Sequence, residues 1–218
     1  MSNTFFISAD LGQVNDYTAV TIIEVVTLYG PLKKRQLFGQ RMNDYQDVIG
    51  REYHLRHIER PERGTTYPKI VERIKELTDS PQLKGKNKAV VVDVTGCGRP
   101  VWDLMKTCGF RCRLSGITIT GGNTVTKDGD IYNVPKRDLI SALQVAFQNG
   151  QLKIADGLPE AETLVREFTN FKVKINLNGH DQYEAWREGI HDDIVLSAAM
   201  GMWLATHDTF LMNFHALI

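Results

Sequence analysis

The sequence predicts a mixed α/β domain in which strands come first and helix-strand units follow. Three observations carry that reading: two β-branched runs open the chain, a continuous apolar run (AVVVD) leads through a tight turn into a helix, and no repeat, low-complexity tract or linker divides the 218 residues. A chain of this length buries most of its apolar surface unaided, so residues 1–218 are expected to form one domain. A hydrophobic share of 42% and a charged share of 24% exclude disordered and fibrous architectures. Lys plus Arg and Asp plus Glu both number 26, so no overall field draws in a polyanion or a membrane. A nucleic-acid surface would have to come from local segregation of charge.

The elements follow in order. Thr4 to Asp10 and Thr18 to Val26 read as adjacent strands joined by the GQVND loop, and REYHLRHIER gives a third strand ending near Pro61. Pro68 stands at a helix start, with Ile70, Val71, Ile74 and Leu77 at helical spacing. Ala89 to Asp93 is a strand covered on both faces, and TGCGRP turns it into a helix that ends at Gly109. Cys112 to Thr120 is a further strand, and Pro135 to Asn149 is a helix with Gly150 just past its end. Phe171, Val173 and Ile175 alternate with Lys172, Lys174 and Asn176 before an NLNG turn and DQYEAW, a pattern that predicts a β-hairpin with one basic face. The last element is a helix from about His191 to His207, rich in Ala, Leu, Met and Trp. Its apolar run, Ile194 to Ala205, contains Ser197 and is too short for a membrane span.

Carboxylates stand where these elements end: Asp10 after FFISA, Asp93 after AVVV, and Asp192 with Asp193 at the start of the last helix. In open α/β sheets ligands bind at the carboxyl ends of the strands, so neighbouring parallel strands would bring Asp10 and Asp93 together there. Acids gathered so closely raise one another's pKa and call for cations, and hard oxygen ligands favour Mg²⁺ or Mn²⁺. Two such ions would serve phosphodiester hydrolysis without a Ser, His or Cys nucleophile. Each acid also has an ordinary reading, as a helix cap or a turn former. Their combination favours the metal site.

Three blocks, ISADLGQVNDYTA (residues 7–19), VVVDVTG (90–96) and GIHDDIVLSAA (189–199), resemble the nuclease domain of bacteriophage large terminases and come in that family's order. The resemblance implies an RNase H-like fold with a mixed five-stranded sheet, its first three strands antiparallel, helices on both faces and a C-terminal β-hairpin near the site. It also implies a two-metal site in which Asp10 bridges both ions, Asp93 holds one and the pair Asp192 and Asp193 holds the other, with Asp193 favoured as the direct ligand. The implied activity is endonucleolytic cleavage of concatemeric viral double-stranded DNA with little sequence specificity. The implied partners are the terminase ATPase domain, the portal and the small terminase subunit, in the cytoplasm of an infected bacterium. No G-x-x-x-x-G-K-[ST] phosphate loop occurs, so the chain is not the packaging motor and reads as a nuclease domain, either excised or encoded alone.

Lys172 and Lys174 are the DNA-backbone candidates, against a bland reading as edge protection. Lys33, Lys34, Arg35, Arg56, Arg60 and Arg63 are weaker ones, because Glu59 and Glu62 among them suit a salt-bridged surface. His191 would orient water or cap the helix, His54 and His57 have no evident partner, and Tyr17 and Thr18 begin the second strand. Cys97, Cys108 and Cys112 form no zinc pattern and suit a reducing compartment. The alternatives are another RNase H-like nuclease such as a Holliday-junction resolvase, a phosphate-loop ATPase of the actin and Hsp70 type suggested by DLGQ and DVTG, and a degenerate DNA-binding or adaptor domain. The ATPase type needs two such subdomains, and degeneracy would remove an acid.

Overall fold

The computed structural model describes residues 3–12, 16–34, 36–37, 40–41, 44–95, 98–177 and 192–207. β1 (Thr4–Asp10), β2 (Ala19–Tyr29), a small β3 (Gln36–Leu37) and β4 (Gln40–Arg41) ribbon, and β5 (Val48–Glu59) come first. Then follow α1 (Tyr67–Asp79), β6 (Asn87–Asp93), α2 (Gly98–Thr107), β7 (Arg113–Thr120), β8 (Thr126–Asp128) and β9 (Ile131–Pro135). The chain continues with α3 (Lys136–Gln148), β10 (Leu152–Ile154), α4 (Ala161–Leu177) and α5 (Asp193–His207).

The main sheet runs β10-β5-β2-β1-β6-β7-β9-β8. β1 pairs antiparallel with β2, and β2 with β5, whereas β1, β6, β7 and β9 are parallel neighbours. The five strands expected from the sequence are its middle. The expected count is corrected by β10 at one edge and by β9 and β8 at the other; these are short, and β9 is recognisable only once it lies beside β7. β6 is apolar on both faces because both are covered: Ala89 and Val91 pack with α3 and α5, Val90 and Val92 with α1 and α2. α1 begins with Pro68 in its first turn after the Thr66 cap, and it buries Ile70, Val71, Ile74 and Leu77.

The expected hairpin is a second correction. Residues 171–177 belong to α4, while the NLNG turn and DQYEAW lie almost wholly outside the described residues. Leu164 and Phe168 pack into the core under α4, and Phe171 and Ile175 continue their three- and four-residue spacing, so the helical period outruns the short alternation. Lys172 and Lys174 lie within this helix, and their side chains are outside the described residues.

α5 is apolar around its whole circumference and is buried from Asp193 to Ala205, as a helix wrapped by its own domain must be. It is seated on β1 by polar side chains. The Ser8 and Thr21 hydroxyls lie 2.8 Å apart, those of Thr21 and Ser197 3.0 Å apart, and the Ser197 hydroxyl donates to the Ser8 carbonyl at 2.9 Å. One turn on, a methyl on Gly201 would stand 2.7 Å from Ser8 Oγ, so only glycine allows this approach.

Candidate active site

Strand parity aims the first two acids. On β1, Phe5, Ile7 and Ala9 face α1 and α2 while Phe6 and Ser8 face α5, which puts Asp10 on the α5 side. On β6, Ala89 and Val91 precede Asp93 on that same side. Ala9 is in register with Val92, so Asp10 and Asp93 end neighbouring parallel strands side by side. The carbonyl of Asp192 accepts the N–H of Leu196 at 2.9 Å, making Asp192 the residue from which α5 starts, over this same edge.

Burial raises the pKa of Asp10 well above the usual carboxylate range, and Asp93, Asp193 and Asp192 push it further in that order. Lys136 opposes them. Burial also raises Asp93, offset by its hydrogen bonds with Thr95 and Asp10 and by Lys136. The Thr95 N–H donates to Asp93 Oδ1 at 2.7 Å, and Thr95 Oγ1 in turn accepts the N–H of Ile119 at 2.8 Å, tying the acid to β7. The four acids anticipated from the sequence therefore share one electrostatic site.

Two cationic side chains enter it. Lys136 Nζ lies 2.8 Å from Asp192 Oδ2, and Arg60 Nη2 lies 3.0 Å from Asp193 Oδ2. β9 carries Lys136 there: Pro135 pairs with Thr120 at the end of β7, and the next residue opens α3 at the carboxyl edge. Arg60 follows β5 directly, and its guanidinium lies 4.0 Å from the Tyr17 ring centre, with that of Arg63 at 3.9 Å. Tyr17 thus does more than begin a strand; Thr18 closes the loop before it by accepting the N–H of Gly12 at 3.1 Å.

The helix-capping reading of the acid pair is answered by Glu167 of α4. Its Oε2 accepts the N–H groups of Ile194 and Val195 at 3.1 and 3.2 Å, so a distant carboxylate caps α5 while Asp192 and Asp193 turn to Lys136 and Arg60. Burial pushes Glu167 up to about 7 despite those bonds and Arg60, whose Nη1 is 3.9 Å from Glu167 Oε1.

Clustered carboxylates are hard oxygen donors of the kind that divalent cations take. Among the described residues, no group of three or more His, Cys, Asp or Glu is arranged to hold a metal ion outright. The donor chemistry suits a divalent cation, while the carboxylates of Asp192 and Asp193 are paired with Lys136 and Arg60.

Other anticipated residues lie apart from the site or outside the described residues. Arg56 pairs with Glu24 at 2.7 Å, His54 with Glu52 at 2.8 Å, and His57 with Glu59 at 2.9 Å, so both histidines have partners. Lys33 pairs with Asp47. The side chains of Lys172 and Lys174, and residues Arg35, Cys97 and His191, are outside the described set. Sequence reasoning missed Lys136 and Glu167. A signal for Lys136 existed: a lysine in the first turn of a helix opposes the helix dipole and needs anionic partners.

A mixed sheet with β1, β2 and β5 antiparallel and β1, β6, β7 and β9 parallel, helices on both faces and a closing helix over the centre defines the RNase H-like class of fold. Within that class the chain is similar to solved terminase nuclease domains. The human cytomegalovirus terminase nuclease domain aligns with a TM-score of 0.53 at 12% identity, covering 98% of this chain and 86% of that one. The same domain, Mn-soaked and inhibitor-bound, gives a TM-score of 0.50 at 13% identity, covering 99% and 86%. No family model matches the sequence, and no curated protein matches it.

Proposed function

We propose that this chain is a single RNase H-like nuclease domain, a metal-dependent endonuclease that hydrolyses phosphodiester bonds of double-stranded DNA with little sequence specificity during viral genome packaging. The observation that carries the reading is the convergence of Asp10, Asp93, Asp192 and Asp193 on one sheet edge, in a fold similar to terminase nuclease domains. The Mn soak of the cytomegalovirus domain supports a divalent cation.

Asp10, Asp93 and Asp192 or Asp193 would hold the divalent ions. Bound Mg²⁺ or Mn²⁺ would activate water and stabilise the leaving oxygen. Thr95 orients Asp93 for this role, and Glu167 fixes the start of α5 so that its acids face Asp10. Arg60 and Arg63, gathered on Tyr17, are suited to a phosphate. Contacts by Lys172 and Lys174 would come from α4. A bacteriophage source, the host cytoplasm, and the terminase ATPase domain, portal and small subunit as partners belong to the same proposal; among the described residues no helix is long and apolar enough to cross a membrane.

The test is nicking and linearisation of supercoiled plasmid in Mg²⁺, Mn²⁺ or EDTA. Metal-dependent cleavage that disappears in Asp10→Asn and Asp93→Asn is expected. An intact plasmid across Mn²⁺ and enzyme concentrations, with folded protein, would count against the reading.

A further inference from the structure

Arg63 is placed in a way that an exposed arginine ordinarily is not. A surface guanidinium on a flexible stem gains little from any one contact and samples many positions. Arg63 instead follows β5 in a tight turn. The N–H and the hydroxyl of Thr65 both donate to the Glu62 carbonyl, at 3.1 and 2.6 Å, and Gly64 takes a φ of +79°. From that turn the Arg63 guanidinium lies 3.9 Å from the centre of the Tyr17 ring, which the Arg60 guanidinium also approaches, at 4.0 Å. The ring is itself fixed, in the loop that leaves β1 after Asp10. There the Gly12 N–H donates to Thr18 Oγ1 at 3.1 Å, and a methyl on Gly12 would meet the Tyr17 carbonyl oxygen at 2.4 Å.

Two guanidiniums on one ring repel each other, and neither can lose its charge at working pH. Arg60 is compensated by Asp193 at 3.0 Å, with Glu167 and Glu160 at 3.9 and 4.0 Å. Arg63 is exposed on the same ring, as are Asp16, beside Tyr17 in the chain, and Glu62, beside Arg63. A ring holds a guanidinium by its charge and flat face and consumes none of its N–H donors, and that fork of donors matches phosphate oxygens. Resting on the nuclease reading, we propose that Tyr17 and Arg63 form a backbone-phosphate site. Arg63 takes a phosphate of the DNA strand near the scissile one, on the β5 side of the acids. Tyr17 is its positioning residue, and Arg60 ties the pair to Asp193.

The test is fluorescence anisotropy of a labelled DNA duplex with the whole chain in CaCl₂ over a series of KCl concentrations, with plasmid cleavage in MnCl₂ in parallel. Arg63→Gln is expected to weaken binding about tenfold and to flatten the slope of log affinity against log salt by about one. It should raise KM for plasmid more than it lowers kcat. Arg63→Lys keeps the charge, so the slope should return while only part of the affinity does. Tyr17→Leu removes the ring and keeps both charges, so affinity should fall with the slope retained. Circular dichroism checks that each variant folds. Lys106→Gln removes the same charge from the last turn of α2, where Lys106 lies 5.1 Å from the Trp102 ring on the other face of the sheet, and should bind as wild type does. Affinity and slope unchanged in Arg63→Gln, or lost equally in Lys106→Gln, overturns the phosphate site; plasmid cleavage by wild type then leaves the nuclease reading standing. Wild type that neither binds the duplex nor cuts plasmid overturns both.

Discussion

The two faces of the sheet are closed by different means. Under α1 and α2 the packing is that of an ordinary interior, with Ile7, Val20, Ile74, Val92, Trp102 and Met105 almost wholly buried together. Under α5 the apolar packing is as dense, but Ser8, Thr21, Ser197, Asp10, Asp193 and Glu167 are buried among it. The first face stabilises the domain mainly through area removed from water. The second gives up part of that gain to carry hydroxyls that fix the helix and acids that repel one another. Buried charge of one sign is tolerated where a ligand relieves it, and this contrast favours the proposed site on the α5 side.

The largest effect expected from disturbing that contrast is at Asp10. Asp10→Asn should lower plasmid cleavage by at least about a hundredfold, the scale of losing a preorganised electrostatic group. It should also raise the metal-free Tm, by about 1 kcal/mol in stability, because the buried acid destabilises the fold when ionised. A fall in both activity and Tm would make Asp10 an ordinary structural residue, like those under α1.

Next comes the seat of α5. Gly201→Val must push the helix off Ser8, costing about 1–3 kcal/mol in denaturant unfolding, and Mn²⁺ affinity should fall with it. Glu167→Ala leaves two helix N–H groups and Arg60 without their carboxylate, a cost of about 1–3 kcal/mol; Glu167→Gln keeps an acceptor and should cost less.

The same residue gives a pH signature. Glu167 is raised from 4.5 to about 7, mainly by burial, so between those values the folded state binds more protons than the unfolded one. Its contribution to stability is therefore fully present below about pH 4.5 and is lost as pH rises through about 7. Arg60 and Asp193 face the same carboxylate and act in opposite directions on it. In metal-free protein, Glu167→Gln should flatten the decline of Tm over this window relative to wild type; parallel curves would remove Glu167 from the account. The smallest effect belongs to the solvent-exposed Lys33 and Asp47 pair, where Lys33→Ala should leave the Tm within experimental scatter and Mn²⁺ uptake unchanged.

The five middle strands, α1, α2, α3 and α5 were legible because each carries its own period and its own stop signal: β-branched runs, Pro68 and Pro135 at helix starts, Gly109 and Gly150 in positive φ past helix ends. Asp10 and Asp93 were legible for the same reason, since an acid closing an apolar strand is a local pattern. β9 and β10 were not, because a strand of three to five residues exists only by virtue of its neighbour. The alternation of residues 171–176 misled because a short period-two stretch also fits inside a longer helical period.

The sequence by itself determined the order of the five middle strands and of α1, α2, α3 and α5, the acids that close β1 and β6, and the acid pair that opens the last helix. Only the tertiary structure decided which cations meet those acids and which carboxylate caps α5. Lys136, Arg60 and Glu167 are separated from their partners by 56, 133 and 27 residues. Contacts of that range follow from packing and charge balance in the folded sheet, and no local pattern of residues encodes them.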